Sequence, residues 1–185
     1  YFKKYFNKFS NSQKRKNCKK GQLFLNDLLN EKIKYFYFSK KNKKKLVQKK
    51  ILRKNKLIKI IIFAHSFYDA PHVRGLNLFP DFFEWLNFLG KISKQTNYDW
   101  YIKPHPNYEE NDVIKKFVKK FPNIKIVDVN LNNKNLAKNE FKFALTMYGS
   151  CASELPLLGI KVINASINNP HVKYNFSISP KNLNQ

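Results

Sequence analysis

The chain has 185 residues, 43% of them hydrophobic, and a formal net charge of +24. That length holds one domain and part of another, and that apolar share excludes a wholly disordered chain. The charge is lopsided: residues 1–56 carry 20 Lys and Arg against 2 Asp and Glu (+18), whereas residues 57–185 carry 16 against 10 (+6), so the second part is only mildly basic.

In residues 1–56, Tyr1, Phe2, Tyr5, Phe6 and Phe9 recur at helical spacing with Lys3, Lys4 and Lys8 between them. Leu25, Leu28, Leu29 and Ile33 repeat the pattern. Both predict amphipathic helices. Such a face suits a membrane surface or a partner. The plainer reading, which the sequence alone favours, packs the helices on a neighbouring domain and leaves the lysines in solvent. Residues 40–56 read as a lysine-rich connector. Residues 1–56 are therefore expected to form a basic helical segment and linker, the end of a preceding domain. Among the 36 basic residues only Arg15, Arg53 and Arg74 are arginine. Readers of base edges lean on the arginine fork, so nucleic acid is disfavoured as a partner. Abundant Lys, Asn, Ile, Phe and Tyr fit AT-rich coding instead.

From residue 57 strands and helices alternate. Leu57–Ala64 predicts a buried strand. Asp81–Gln95 predicts a helix with Phe82, Trp85, Leu86, Leu89 and Ile92 on one face. Asp99–Lys103 is a second strand. Asn111–Phe121 is a second helix, with Val113, Ile114, Phe117, Val118 and Phe121 on one stripe. Ile124–Val129 and Phe143–Met147 are a third and a fourth strand. A short helix follows near Ala152–Leu158, with Pro156 in its first turn or kinking it and Gly159 as its cap. Lys161–Ala165 is the fifth strand. Residues 57–185 thus read as an α/β domain, a Rossmann-like doubly wound parallel sheet with strand order 3-2-1-4-5. Ligands of such sheets bind where the order reverses, beside the carboxyl ends of strands 1 and 4.

Three polar segments are expected to meet there. His65-Ser66-Phe67-Tyr68-Asp69-Ala70-Pro71-His72 follows strand 1, with Arg74 close behind. An imidazole can bind phosphate or move protons, and Asp69 could orient it; loop solvation and helix capping are the plainer roles. Lys103-Pro104-His105-Pro106 sets a cation and an imidazole on a stiffened turn suited to a phosphate oxygen. Gly149-Ser150 leads into a helix that contains Ser153 and Glu154. A helix start offers free N–H groups to a phosphate, a glycine admits a ligand to the backbone, and the serines add hydroxyls. Glu154 could accept from ribose hydroxyls. The competing role is N-capping by Ser150 with a favourable acid in the first turn.

Other chemistry is disfavoured. No GxGxxG, no GxxxxGK[ST], no HExxH and no G-x-S-x-G occurs, which argues against dinucleotide, P-loop, zinc-protease and serine-hydrolase sites. No Asp-x-Asp pair is present, so no metal site is expected. Cys18 and Cys151 lie far apart without a CxxC, which excludes a disulfide scaffold and points to a reducing cytoplasm. Cys151 reads as a small buried residue rather than a nucleophile. The apolar run Ile60–Ala64 is far shorter than the ~20 residues that span a bilayer. A start at Tyr1 and a stop at Gln185 soon after a strand predict a truncated chain.

These segments resemble the carboxyl-terminal half of bacterial capsule and surface-polysaccharide biosynthesis proteins of the GT-B glycosyltransferase type. The resemblance rests on Ile62-Phe63-Ala64-His65 with Asp69-Ala70, then Leu78-Phe79-Pro80-Asp81 with Glu84-Trp85-Leu86. It continues through Trp100-Tyr101-Ile102-Lys103-Pro104-His105-Pro106 to Gly149-Ser150, Ser153-Glu154-Leu155-Pro156 and Leu158-Gly159. It covers residues 57–180 and does not reach residues 1–56. It implies metal-independent transfer from a nucleotide-activated sugar, bound as substrate with no cofactor, to a saccharide or lipid-linked acceptor. By resemblance, His105 meets the donor phosphate, as do Gly149, Ser150 and Ser153, and Glu154 meets the ribose. Lys103 and Arg74 complete the substrate-binding set, and His65 or Asp69 supplies acid/base help. The acceptor-binding domain of such enzymes is mostly missing from this chain. Location is expected to be cytoplasmic, with peripheral contact at the inner membrane. Two alternatives stand: a nucleotide-sugar epimerase of the same fold, and a non-catalytic module that binds anionic membrane or nucleic acid through the basic segment.

Overall fold

A computed structural model describes residues 2–30, 32, 55–67, 77–105, 112–129, 131–167, 172 and 174–184. The chain divides into two units, residues 1–41 and 42–185. Asp69, Arg74, Pro106 and nearly all of the expected 40–56 connector lie outside the described residues.

The first unit holds two helices, α1 (Phe2–Asn7) and α2 (Asn11–Leu29). Ser10 sets the start of α2 through a capping box. Its Oγ accepts the Gln13 N–H at 3.3 Å, and the Gln13 side chain accepts the Ser10 N–H at 2.9 Å. The aromatic spacing seen in the sequence places Tyr5 edge-on to Phe9, with centroids 5.3 Å apart. No residue of α2 is buried.

The second unit is built on five parallel strands: β1 (Lys59–Phe63), β2 (Asp99–Lys103), β3 (Lys125–Ile126), β4 (Phe141–Thr146) and β5 (Lys161–Asn164). Their order is β3-β2-β1-β4-β5, all neighbours parallel, as the alternating pattern predicts. The helices are α3 (Phe82–Gln95), α4 (Asp112–Lys120), α5 (Asn133–Lys138) and α6 (Cys151–Glu154). Period two in the strands sorts the core into two layers. Ile60, Ile62, Trp100 and Ile102 pack with Trp85, Leu86, Ile114 and Phe117 of α3 and α4. Ile61, Tyr101 and Val162 pack on the opposite face with Leu136 of α5 and Ala152 of α6. The result is an α/β/α sandwich of the Rossmann-like kind, with a sheet covered on both faces and with β1 and β2 apolar but for charged end residues.

Local chemistry explains the boundaries. Asp81 caps α3, its Oδ1 accepting the Glu84 N–H at 2.8 Å. β3 is shorter than the expected Ile124–Val129 because it is an edge strand. It pairs through Tyr101↔Lys125 and Ile102↔Ile126, after which Val127 N–H still donates to Ile102 O at 2.9 Å. The chain then turns into α5, which the sequence reading misses. Asn132 caps it by accepting the Asn135 N–H at 2.9 Å. β4 begins at Phe141, two residues earlier than expected. Its register against β1 shifts between Lys59 and Ile60, so exposed Lys142 is an extra residue that breaks the alternation. After α6 the chain tightens into a 3-10 turn, Leu155–Leu158, with Pro156 at a position that needs no N–H donor. Gly159 closes it in the left-handed conformation at φ 78°, as the capping pattern predicts.

Candidate functional site

The strand order reverses between β1 and β4, so crossovers leave toward opposite faces there, and sheets of this kind bind ligands at the carboxyl ends of the strands beside such a reversal. Lys103 ends β2 beside Phe63 of β1, its register partner. Its ammonium lies 5.7 Å from the centre of the Phe63 ring. It forms no hydrogen bond or ion pair among the described residues. Burial pulls its pKa below the ordinary lysine value, while Cys151, Asp128 and Glu154 act in the opposite direction. A partly buried cation with acids nearby but none in contact suits an anionic group. His105 follows two residues later and is partly exposed, directly after buried Pro104. The turn thus carries both groups of the Lys103-Pro104-His105 segment at the mouth of the sheet.

The turn after β4 has its own support. Thr146, fully buried at the end of β4, accepts the Gly149 N–H on Oγ1 at 2.9 Å. A side chain at Gly149 would bring Cβ to 2.7 Å from that Oγ1, so the glycine serves the close approach of the turn to Thr146. His65 Nε2 accepts the Tyr148 N–H at 2.9 Å and lies 3.2 Å from Thr146 Oγ1. An Nε2 that accepts a backbone N–H carries no proton, so the imidazole is neutral with its proton on Nδ1. The ring stacks on Phe82 of α3 at 4.7 Å and 7°. His65 therefore joins β1, α3 and the β4–α6 turn.

Ser150 occupies the first position before α6 in helical conformation and makes no side-chain cap bond. The capping role weighed for it is thus not the one it plays, and its exposed hydroxyl faces solvent. Ser153 Oγ donates to Ser150 O at 2.8 Å. Glu154 Oε2 accepts from Asn133 Nδ2 at 2.8 Å, which links α6 to the start of α5. Cys151 is buried with its thiol pKa pushed up to about 12 by burial, so it stays protonated and is no nucleophile at neutral pH.

The structure thus gathers Lys103, Glu154 and the Gly149–Ser150 turn around Thr146 and Cys151, with His65 supporting the turn from the other side of Thr146. Thr146, Asn133 and Asp128 are absent from the sequence reading. Thr146 looks like one more strand residue, and Asn133 belongs to the missed helix. Ser66, part of the polar segment after strand 1 but given no role by the sequence, also stands out. It is buried at 4% exposure at the exit of β1, and its Oγ has no hydrogen-bond partner among the described residues. A buried hydroxyl of that kind calls for a water or a ligand. A shallow pocket of about 210 Å³ lies close by, lined by Phe67, Asp81, Phe82 and Phe83.

Among the described residues no group of three or more His, Cys, Asp or Glu is placed to hold a metal ion. No helix there is long and apolar enough to cross a membrane. Comparison with protein-family models, with curated proteins and with solved structures gives no match.

Proposed function

We propose that residues 57–185 form the donor-binding half of a glycosyltransferase that uses a nucleotide-activated sugar in surface-polysaccharide synthesis. The observation that carries the reading is the Lys103 ammonium at the mouth of the sheet. It is partly buried, depressed in pKa by that burial, and without an ion pair among the described residues. An arriving diphosphate or phosphodiester would supply the missing negative charge. As the sugar–phosphate C–O bond breaks, charge grows on the departing phosphate, and a preorganised cation there lowers the barrier. His105 and the exposed Ser150 hydroxyl stand on the two neighbouring turns as further donors. Glu154, held by Asn133, is available to ribose hydroxyls. His65 spends Nε2 on the Tyr148 N–H, so in this reading it shapes the turn and Asp69 takes the acid/base role.

Thermal stabilisation by CMP-, UDP-, GDP- and CDP-linked sugars tests the reading. One nucleotide class is expected to raise Tm selectively, and His105→Ala and Lys103→Ala are expected to abolish the shift. A folded chain that responds to none of the four classes overturns it. Donor turnover to an isomeric sugar nucleotide without acceptor would instead mark an epimerase.

A further inference from the structure

The first unit carries a surface that sugar transfer does not use. Residues 2–30 hold Lys3, Lys4, Lys8, Lys14, Arg15, Lys16, Lys19 and Lys20 against a single acid, Asp27. Asp27 is itself paired with Lys32 at 3.3 Å, so the basic charge meets no other acid in this stretch. On α2, at 3.6 residues per turn, Arg15, Lys16, Lys19 and Lys20 fall along one side. Cys18, Phe24, Leu25, Leu28 and Leu29 fall along the other, with Lys14 at its amino-terminal end; Leu25, Leu28 and Leu29 are half-buried there, and Leu23, 58% exposed, falls on the basic side. The helix is roughly 28 Å long. None of its residues is buried, and Phe24 is 48% exposed. On α1, Tyr5 is 57% exposed.

We propose that α1 and α2 dock on an anionic lipid surface, with the apolar side of α2 at the boundary between headgroups and acyl chains. Charge complementarity favours lipid phosphates, and the lysine stems can reach them while the apolar side is immersed. A nucleic acid would engage the basic side and leave the exposed Phe24 in water, so it accounts for less of the helix. The predominance of lysine over arginine fits a diffuse attraction to headgroups rather than bidentate recognition. This proposal is independent of the nucleotide-sugar reading, since it involves the other unit.

The test is co-sedimentation of the full chain with vesicles of phosphatidylcholine containing about one-third phosphatidylglycerol, and with phosphatidylcholine alone. Binding is expected to the anionic vesicles only. Lys16→Glu with Lys20→Glu should weaken it more than tenfold, and Phe24→Ser by threefold or more. All three positions are exposed, and circular dichroism checks that the variants keep their helix. Failure to bind anionic vesicles, or equal binding to neutral ones, overturns the proposal. So does indifference to Phe24→Ser combined with tighter, salt-sensitive binding to duplex DNA, which would mark a nucleic-acid surface.

Discussion

Asp99 shows how a single charged residue is held in the core. It is 3% exposed at the start of β2, at the end of the sheet away from the candidate site. Burial pushes its pKa up, yet hydrogen bonds from Lys125, Tyr101 and Asn55, with the Lys125 charge, outweigh that and hold it below the usual value. The bonds are short: Lys125 Nζ at 2.7 Å, Tyr101 Oη at 2.7 Å and Asn55 Nδ2 at 3.1 Å. A carboxyl lowered in the folded state binds fewer protons than in the unfolded chain near its titration range. Its contribution is therefore complete above about pH 4 and is lost as pH falls through the folded value. Asp99→Asn should cost about 3 kcal/mol at neutral pH, because Lys125 is left without its anion in a largely buried setting. The loss should shrink on acidification. Urea unfolding at pH 7 and at pH 3.5 measures both. A neutral-pH cost near zero would mean that the network contributes no net stability.

At the scale of elements, the contact between α3 and α4 turns on one glycine. A methyl on Gly90 would overlap the ring of Phe121, which is 2% exposed and packed at 5.1 Å on Phe117. In an open helix Gly→Ala gains about 1 kcal/mol. Here the ring has nowhere to go, and overpacking costs about 1–3 kcal/mol. Gly90→Ala should thus destabilise by about 1 kcal/mol. Phe121→Leu in the same chain should recover part of that loss, a coupling that a double-mutant cycle reads from urea midpoints. The same physics decides which elements are legible in the sequence. β1 and β2 are covered on both faces, so Ile60–Phe63 and Trp100–Ile102 stand out as apolar runs, and the capped, striped α3 stands out for its period. α5 does not stand out. Its six residues bury only Leu136, and its asparagines resemble a loop until Asn132 is seen as a cap. The start of β4 is hidden by the register shift opposite Lys59 and Ile60, which no local pattern announces. The strand order is legible because handed crossovers leave few arrangements.

Across the whole molecule, stability and binding pull Lys103 in opposite directions. The sequence marks Lys103 through its prolines and its strand-end position, but the lack of an ion pair to its ammonium among the described residues depends on where α6 and the segment after β3 set Glu154 and Asp128. Asn133, which holds Glu154, is likewise a matter of three-dimensional placement. Burial disfavours the charged form of Lys103 more than the nearby acids favour it, so its pKa is lowered on folding. The unfolded chain then binds more protons, and stability should rise with pH through the folded value until the unfolded lysine also titrates. Lys103→Met keeps the stem against Phe63 and removes the buried charge. It should stabilise the unliganded protein by about 1 kcal/mol and remove that rise with alkaline pH. The same substitution should abolish stabilisation by the nucleotide sugar that binds the native chain, because the anion would lose its cation in a poorly solvated place. A more stable protein that no longer responds to ligand is the signature of a residue kept for binding at a cost to the fold. A Lys103→Met variant that is less stable than the native chain would show that the ammonium is satisfied in the free protein and that the donor phosphate is held elsewhere.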